Sequence, residues 1–348
     1  MTLPDPAAFR NALPSEGRLI LCTHRHPDPD GLGAMVGIQY LLKKRFELDC
    51  DLVLEGRIRR AENVAMRQLL EIQAVPKGGI NPADYHGLLV VDSQPGFTHT
   101  NPPGALPILG VIDHHQGSEE SAAVAETVPF FWVAPHYGAT STMVYDLLCA
   151  FGVRPDRRAA TALFCGIRYD TNNLVRDSTT FDERAYYDLE RVADRKLIAA
   201  IDQPPLSRAY FAQMGEAIRR CRIFGTTLLT LMDEVTSPEM VAEVADWFVR
   251  LEGPQWSLAG GACDGRYQLS LRTDMPGADA YPALRGIIGK EGSCGGHGRM
   301  AGGQIPLTEL DLKAVQRLVQ HRAMEVFEVE ETQYQVLDPG GENGNGGD

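Results

Sequence analysis

The chain has 348 residues, 44% hydrophobic and 23% charged, which suits two globular domains, each with its own core. Its formal net charge of −13 argues against long duplex nucleic acid as a partner, because that affinity comes mainly from a basic face neutralising phosphates. No apolar stretch is long enough to cross a bilayer, and MTLPDPAAFR lacks a secretory signature, so no membrane association and a cytoplasmic location are expected. Seven scattered cysteines, none in a C-x-x-C pair, fit reduced thiols rather than a zinc site or disulfide framework.

In chain order, RLILCTH (18–24) reads as a strand, and GLGAMVGIQYLLKKRF (31–46) as a helix closing on basic residues. CDLVLEG (50–56) reads as a second strand, ENVAMRQLLEIQ (62–73) as a second helix, GLLVVDS (87–93) and PILGVIDHH (107–115) as two more strands. Helical patterns follow at 141–152, 156–171 and 181–194. Continuous Val/Ile/Leu runs separated by helices predict a parallel sheet buried on both faces. Residues 195–225 read as a helical linker interrupted by Pro204 and Pro205. Beyond it come strand TTLLTLM (226–232), helix PEMVAEVADWFVRL (238–251), strands near WSLAGGA and RYQLSLRTD, helix AYPALRGIIGK, a Gly-rich loop, and a long helix near 310–327. Strands pairing around Gly-Ala-Cys-Asp-Gly predict a mixed or antiparallel sheet. The expected division is 1–194 catalytic, 195–225 linker, 226–335 a smaller substrate-binding α/β domain and 336–348 a disordered tail.

Three of the four N-terminal strands end in side chains that bind metals. The first is followed by His24, Asp28 and Asp30, the third by Asp92, and the fourth delivers Asp113, His114 and His115. Ligands of a parallel α/β sheet bind beyond the carboxyl ends of its strands, so these groups should share one rim. Singly, each has an ordinary alternative, such as a turn aspartate or a helix cap. Together they crowd more negative charge than neutral pH tolerates without cations between them. Oxygen and nitrogen donors without thiolate point to Mn²⁺ or Mg²⁺, with Co²⁺ or Zn²⁺ as substitutes. Two such ions roughly 4 Å apart clamp a phosphoryl group and acidify a bridging water.

The segments THRHPDPDGLGAM, LLVVDSQ, VIDHHQ and GIRYDTNNL resemble the successive motifs of the DHH phosphoesterase superfamily. LSLRTD and SCGGHGRMAGG are similar to its C-terminal DHH-associated domain, as in the RecJ-like branch with the nano-RNases and adenosine bisphosphate phosphatases. The resemblance implies one metal on His24, Asp28 and Asp92, and a second on Asp30, Asp92, His114 and Asp170. Asp113 would orient the histidines, and His115 would face the substrate phosphate. In the second domain Gly295 and Gly296 would expose N–H groups to an anion, with His297, Arg299 and Arg272 adding positive donors. The cleft between domains would be the active site. The chain departs from the pattern at Gly33-Ala34, where Gly-Ser is common, at Cys294 for a glycine and at Met300 for an alanine. His26 is read as a loop residue.

The expected activity is hydrolysis of short single-stranded oligonucleotides, linear dinucleotides or adenosine bisphosphate. Pyrophosphate or polyphosphate hydrolysis and a non-catalytic nucleotide sensor are the alternatives. A homodimer is compatible with the sequence.

Overall fold

The computed structural model describes residues 4–97, 99–104, 106–308, 310–330 and 333–337, and the chain divides into two compact units, Met1–Pro205 and Leu206–Asp348. The first is built on β1 (Arg18–Cys22), β2 (Asp49–Leu54), β3 (Val75–Pro76), β4 (Leu88–Val91), β5 (Ile108–Asp113) and β6 (Phe130–Val133). Its helices are α1 (Pro6–Ala12), α2 (Pro29–Leu41), α3 (Ala61–Leu69), α4 (Glu119–Ala125), α5 (Thr140–Ala150), α6 (Arg157–Asp170), α7 (Thr180–Glu190) and α8 (Arg195–Asp202). The strands form one six-stranded sheet in the order β3-β2-β1-β4-β5-β6, with every neighbouring pair parallel. The order reverses between β1 and β4, and a doubly wound sheet opens its ligand crevice at such a reversal.

The apolar runs are continuous because the sheet is buried on both sides. Leu19, Leu21, Leu89 and Val91 enter one core, while Ile20, Cys22, Leu88 and Val90 enter the core on the other face. Helix α2 is buried along most of its length, which explains why it lacks a polar face. It leans closely on α6: a Cβ added at Gly33 would lie 2.6 Å from the Ala162 carbonyl oxygen and 2.8 Å from Ser141 Oγ. Two short strands were not expected from the sequence: β3 has only two residues, and the four aromatic and apolar residues of β6 are placed by pairing with β5.

The second unit contains α9 (Arg208–Arg220), β7 (Arg222–Phe224), β8 (Thr227–Glu234), α10 (Pro238–Phe248), β9 (Trp256–Cys263), β10 (Arg266–Thr273), α11 (Ala280–Ile288), β11 (Ser293–His297), β12 (Met300–Pro306), α12 (Leu312–Val326) and β13 (Gln335–Val336). Its seven-stranded sheet runs β11-β12-β10-β9-β8-β7-β13; β8 and β9 are parallel and the other pairs antiparallel. The mixed sheet agrees with the sequence reading. Asp264 and Gly265, at φ 51° and 74°, make the two-residue turn joining β9 to β10.

Two expectations are corrected here. The Gly-rich segment is not a loop but the hairpin β11–β12, in register from Ser293–Gln304 to His297–Met300. Glycine reads as loop because it lacks strand propensity, yet here a side chain is excluded: a Cβ at Gly303 would lie 2.3 Å from Ile288 Cδ1. Within the 195–225 segment α8 lies in the first unit while α9 and β7 lie in the second, and the division falls after Pro205. Val336, expected in a disordered tail, pairs with Arg222, and residues 338–348 lie outside the described residues.

Gly33→Ala should lower the stability of the first unit by about 2 kcal/mol, because a backbone carbonyl cannot yield as a side chain would. A urea midpoint that stays unchanged or rises, as helix propensity alone would predict, would contradict this packing.

Candidate metal centre

Strand β1 ends at Cys22, and the chain then turns through His24 to Asp28, whose carboxylate caps α2 by accepting from the backbone N–H groups of Asp30 (3.0 Å) and Gly31 (3.1 Å). Asp30, in the first turn of α2, is fully buried. Its two carboxylate oxygens accept from the backbone N–H groups of Thr140 (2.7 Å) and Ser141 (2.8 Å), the first residues of α5. Two aspartates are thus fixed by helix N-termini, where partial positive charge favours the ionised form. Asp92 follows β4 with φ 54°, an uncommon left-handed conformation for a non-glycine residue, and Thr140 Oγ1 donates to it over 3.1 Å.

Asp92 is the hub. His24 Nε2 lies 3.4 Å from Asp92 Oδ2, and His114 Nε2 lies 3.8 Å from Asp92 Oδ1. His24 Nε2 is also 3.8 Å from Asp28, and His114 Nε2 is 3.1 Å from Asp170, the last residue of α6. The structure therefore brings together three groups with ligand-like spacing that all share Asp92: His24–Asp28–Asp92, Asp30–Asp92–His114–Asp170 and Asp92–His114–His115.

His115 Nδ1 is 2.8 Å from Asp113 and 3.9 Å from Asp92, with its side chain 49% exposed. Asp113 is fully buried, and its other oxygen accepts from Gln94 Nε2 at 2.7 Å. That second contact leaves His115 oriented but open to solvent.

The donor set fits divalent cations. His114 Nε2 is buried without a hydrogen-bond partner of good geometry, although Asp170 lies 3.1 Å away, and both atoms can act as donors to one cation. His114 Nδ1 faces the Tyr137 carbonyl oxygen at 3.2 Å; donation there would leave Nε2 as the free lone pair.

The titration behaviour agrees. Burial pushes the Asp30 carboxyl well above its ordinary range, and the charges of Asp92 and Asp170 add to this. Burial, again the largest cause, raises Asp170 to about 6. Burial pulls the His24 and His114 imidazoles down, but Asp28 and Asp92 for the first, and Asp170, Asp30 and Asp92 for the second, outweigh it and hold both well above normal.

Several residues that the sequence reading passed over support this arrangement. Asp182 is fully buried at the start of α7 and accepts from Gly138 N (2.9 Å), Thr142 Oγ1 (2.6 Å), Thr179 N (2.8 Å) and Thr179 Oγ1 (2.8 Å). It thereby pins the segment from Tyr137 to Thr142, which holds His114, Asp30 and Asp92. The only signal in the sequence was a Thr179-x-x-Asp182 spacing before a helix, typical of a cap. His26 is not placed among the ligand groups. Its ring nitrogen instead accepts from the Arg57 backbone N–H at 3.1 Å.

The remaining residues named from the sequence lie in the second unit. Arg272 on β10 is ion-paired with Asp246 and donates to the carbonyl oxygens of Leu271 and Ala301. It borders a cavity of about 380 Å³ together with Gln268, Ser270, Gly296, Met300 and Gly302. Gly295 faces Gly302 in the hairpin, Arg299 lies in its turn, and the His297 side chain lies outside the described residues.

Residues 18–167, within the first unit, match the model of the DHH family, N-terminal domain. The chain is 28% identical over 323 residues to an uncharacterized Methanocaldococcus jannaschii protein, MJ1633, covering 90% of this chain and 65% of that one. It is 24% identical over 269 residues to the cyclic-di-AMP phosphodiesterase PdeA of Listeria monocytogenes, covering 72% of this chain and 40% of the relative. It thus spans less than two thirds of the length of these curated relatives. A crystal structure of an exopolyphosphatase-related protein from Bacteroides fragilis shares the fold, with a TM-score of 0.72 at 13% identity over 94% of this chain and 99% of that one.

Binding of Mn²⁺ at pH 7 should release at least about one proton per chain, because ligation needs neutral imidazole and ionised carboxyl. Calorimetry in buffers of different ionisation enthalpy reads this, and buffer-independent heats would contradict it. Affinity should fall as pH drops from 8 to 6, through the region where Asp170 takes up its proton. Asp182→Ala should cost about 3 kcal/mol, since it strands several buried donors, and should weaken Mn²⁺ binding in the fraction still folded. Unchanged affinity would leave Asp182 a purely structural residue.

Proposed function

We propose that the chain is a metal-dependent phosphoesterase that hydrolyses phosphate esters of short oligonucleotides, linear dinucleotides or adenosine bisphosphate. The observation that carries this reading is Asp92, common to every group with ligand-like spacing among the described residues, on one sheet rim. His24 and Asp28 would hold one divalent cation and Asp30, His114 and Asp170 a second, with Asp92 common to both; Mn²⁺ suits this mixture of imidazole and carboxylate, with Mg²⁺ or Co²⁺ as substitutes. When bound, such a pair supplies Lewis-acid stabilisation of the phosphoryl group and an acidified water.

The chain's own residues do the rest. His115, held by Asp113 and open on its other side, donates to a non-bridging phosphate oxygen. Burial lowers its basicity, but the Asp113 carboxylate outweighs this and keeps the imidazole above its usual range, so that it stays a donor near neutrality. Gln94 holds Asp113 in place. The relative named for cyclic-di-AMP phosphodiester cleavage supports a nucleotide substrate class. In the second unit, the Gly-rich hairpin with Arg299, and Arg272 beside it, would bind substrate.

With Mn²⁺, the purified protein should release mononucleotides from a linear dinucleotide faster than it hydrolyses pyrophosphate, cyclic di-AMP or long single-stranded DNA. Asp92→Ala should reduce kcat by about a thousandfold or more, and Asp113→Asn by about 10- to 100-fold. Undiminished turnover in the Asp92 variant would refute the assignment, and preference for pyrophosphate would move it to the polyphosphate class.

A further inference from the structure

The second unit carries another cavity, of about 290 Å³, that the proposed reaction does not use. Its walls are Arg220 at the end of α9, Arg222 on β7, and Lys313, Gln316 and Arg317 on α12, over a floor of Leu229 and Leu231. It is distinct from the cavity beside the Gly-rich hairpin. Leu229, Leu258 and Leu271 are register partners across β8, β9 and β10, so they share the sheet face covered by α11 and α12. Arg272 and Ser270 of the hairpin cavity alternate to the other face, where α10 packs. Three strands, β10, β9 and β8, also lie between β12 and β7 in the sheet.

Four cations converge here in a chain whose net charge is −13. Asp233 on β8 accepts from Arg220 (3.1 and 2.5 Å), Lys313 (2.8 Å) and Gln316 (3.1 Å), and Glu216 pairs with Arg220 at 2.8 Å. Two acids against four cations leave the cavity positive. Asp233 also gathers Arg220 and Lys313 to one point instead of letting them spread into solvent. Arg222 is pre-set without a carboxylate: its Nη1 donates to the carbonyl oxygens of Arg219 (2.8 Å) and Cys221 (2.9 Å), and its guanidinium lies 5.3 Å from the centre of the Tyr334 ring. Arg317 has no acidic partner among the described residues. Two unneutralised guanidiniums, one of them held rigid, beside a fixed Arg–Lys pair form a site for a doubly charged oxyanion, since guanidinium matches phosphate geometry with two parallel donors.

We infer that this cavity binds the phosphate group of a small phosphorylated molecule, independently of the metal centre and of the hairpin cavity. The inference goes beyond the proposed hydrolysis and does not rest on it.

The test uses the 348-residue chain carrying Asp92→Ala, with a chelator present, so that metal-bound phosphate cannot contribute. Titration with inorganic phosphate at low ionic strength, followed by calorimetry, should show saturable binding of one ion per chain. Combining Arg222→Ala with Arg317→Ala should raise Kd at least about tenfold, while Arg272→Ala should leave it unchanged. The exposed Arg317→Glu change, checked by circular dichroism, should weaken binding alone and guards against a double variant that fails to fold. Absence of saturable binding in the parent, equal Kd in the Arg317→Glu variant, or loss of binding on Arg272→Ala would each overturn the inference.

Discussion

The Asp92 carboxylate, only 2% exposed, lies within 3.4 to 3.9 Å of three imidazoles, those of His24, His114 and His115. Asp28, Asp30 and Asp170 complete the ligand groups that meet on it. Burying so much like charge is unfavourable unless something positive stands between the carboxylates. Without metal the chain answers with raised imidazole and carboxyl pKa values. Divalent cations remove the need for those protons. Much of the first unit serves to hold this concentration of charge in place.

The holding is done largely by backbone. The start of α2 accommodates Asp28, the start of α5 accommodates Asp30, and the reversal of strand order between β1 and β4 brings both beside Asp92. Helix N-termini and a strand crossover are rigid features, so the ligand oxygens are positioned before any cation arrives. Asp182 extends this support by tying the segment before α5 to the start of α7 with one buried carboxylate. The left-handed backbone at Asp92 is a local strain that such surroundings can sustain.

The second unit uses charge differently. Arg272 is neutralised by Asp246 beside a hairpin whose glycines leave backbone exposed, whereas the cations near α12 outnumber their acidic partners. Both occur within a strongly acidic chain. Local arrangement, not net charge, decides where an anion can settle.

The parallel sheet, its continuous apolar strands and the Asp and His residues gathered at three strand ends were legible in the sequence, because strand periodicity and strand termini are local properties. His24, Asp28, Asp30, Asp92 and His114 could be placed on one rim from those properties alone. Asp170 could not, since it ends a helix rather than a strand, and only its resemblance to a family motif marked it. Thr140 and Ser141 gave no chemical signal, and Asp182 gave only that of a helix cap, because the partners that tie them to the site lie about 40 to 110 positions away in the chain. The Gly-rich strands of the second unit were hidden for a related reason: glycine carries no strand preference, and pairing with β10 and packing against α11 impose the extended form. Sequence determined which chemistry the first unit carries, because that depends on residue type and local spacing. Tertiary structure decided which residues hold it in position, because a buried carboxylate is defined by what folds against it.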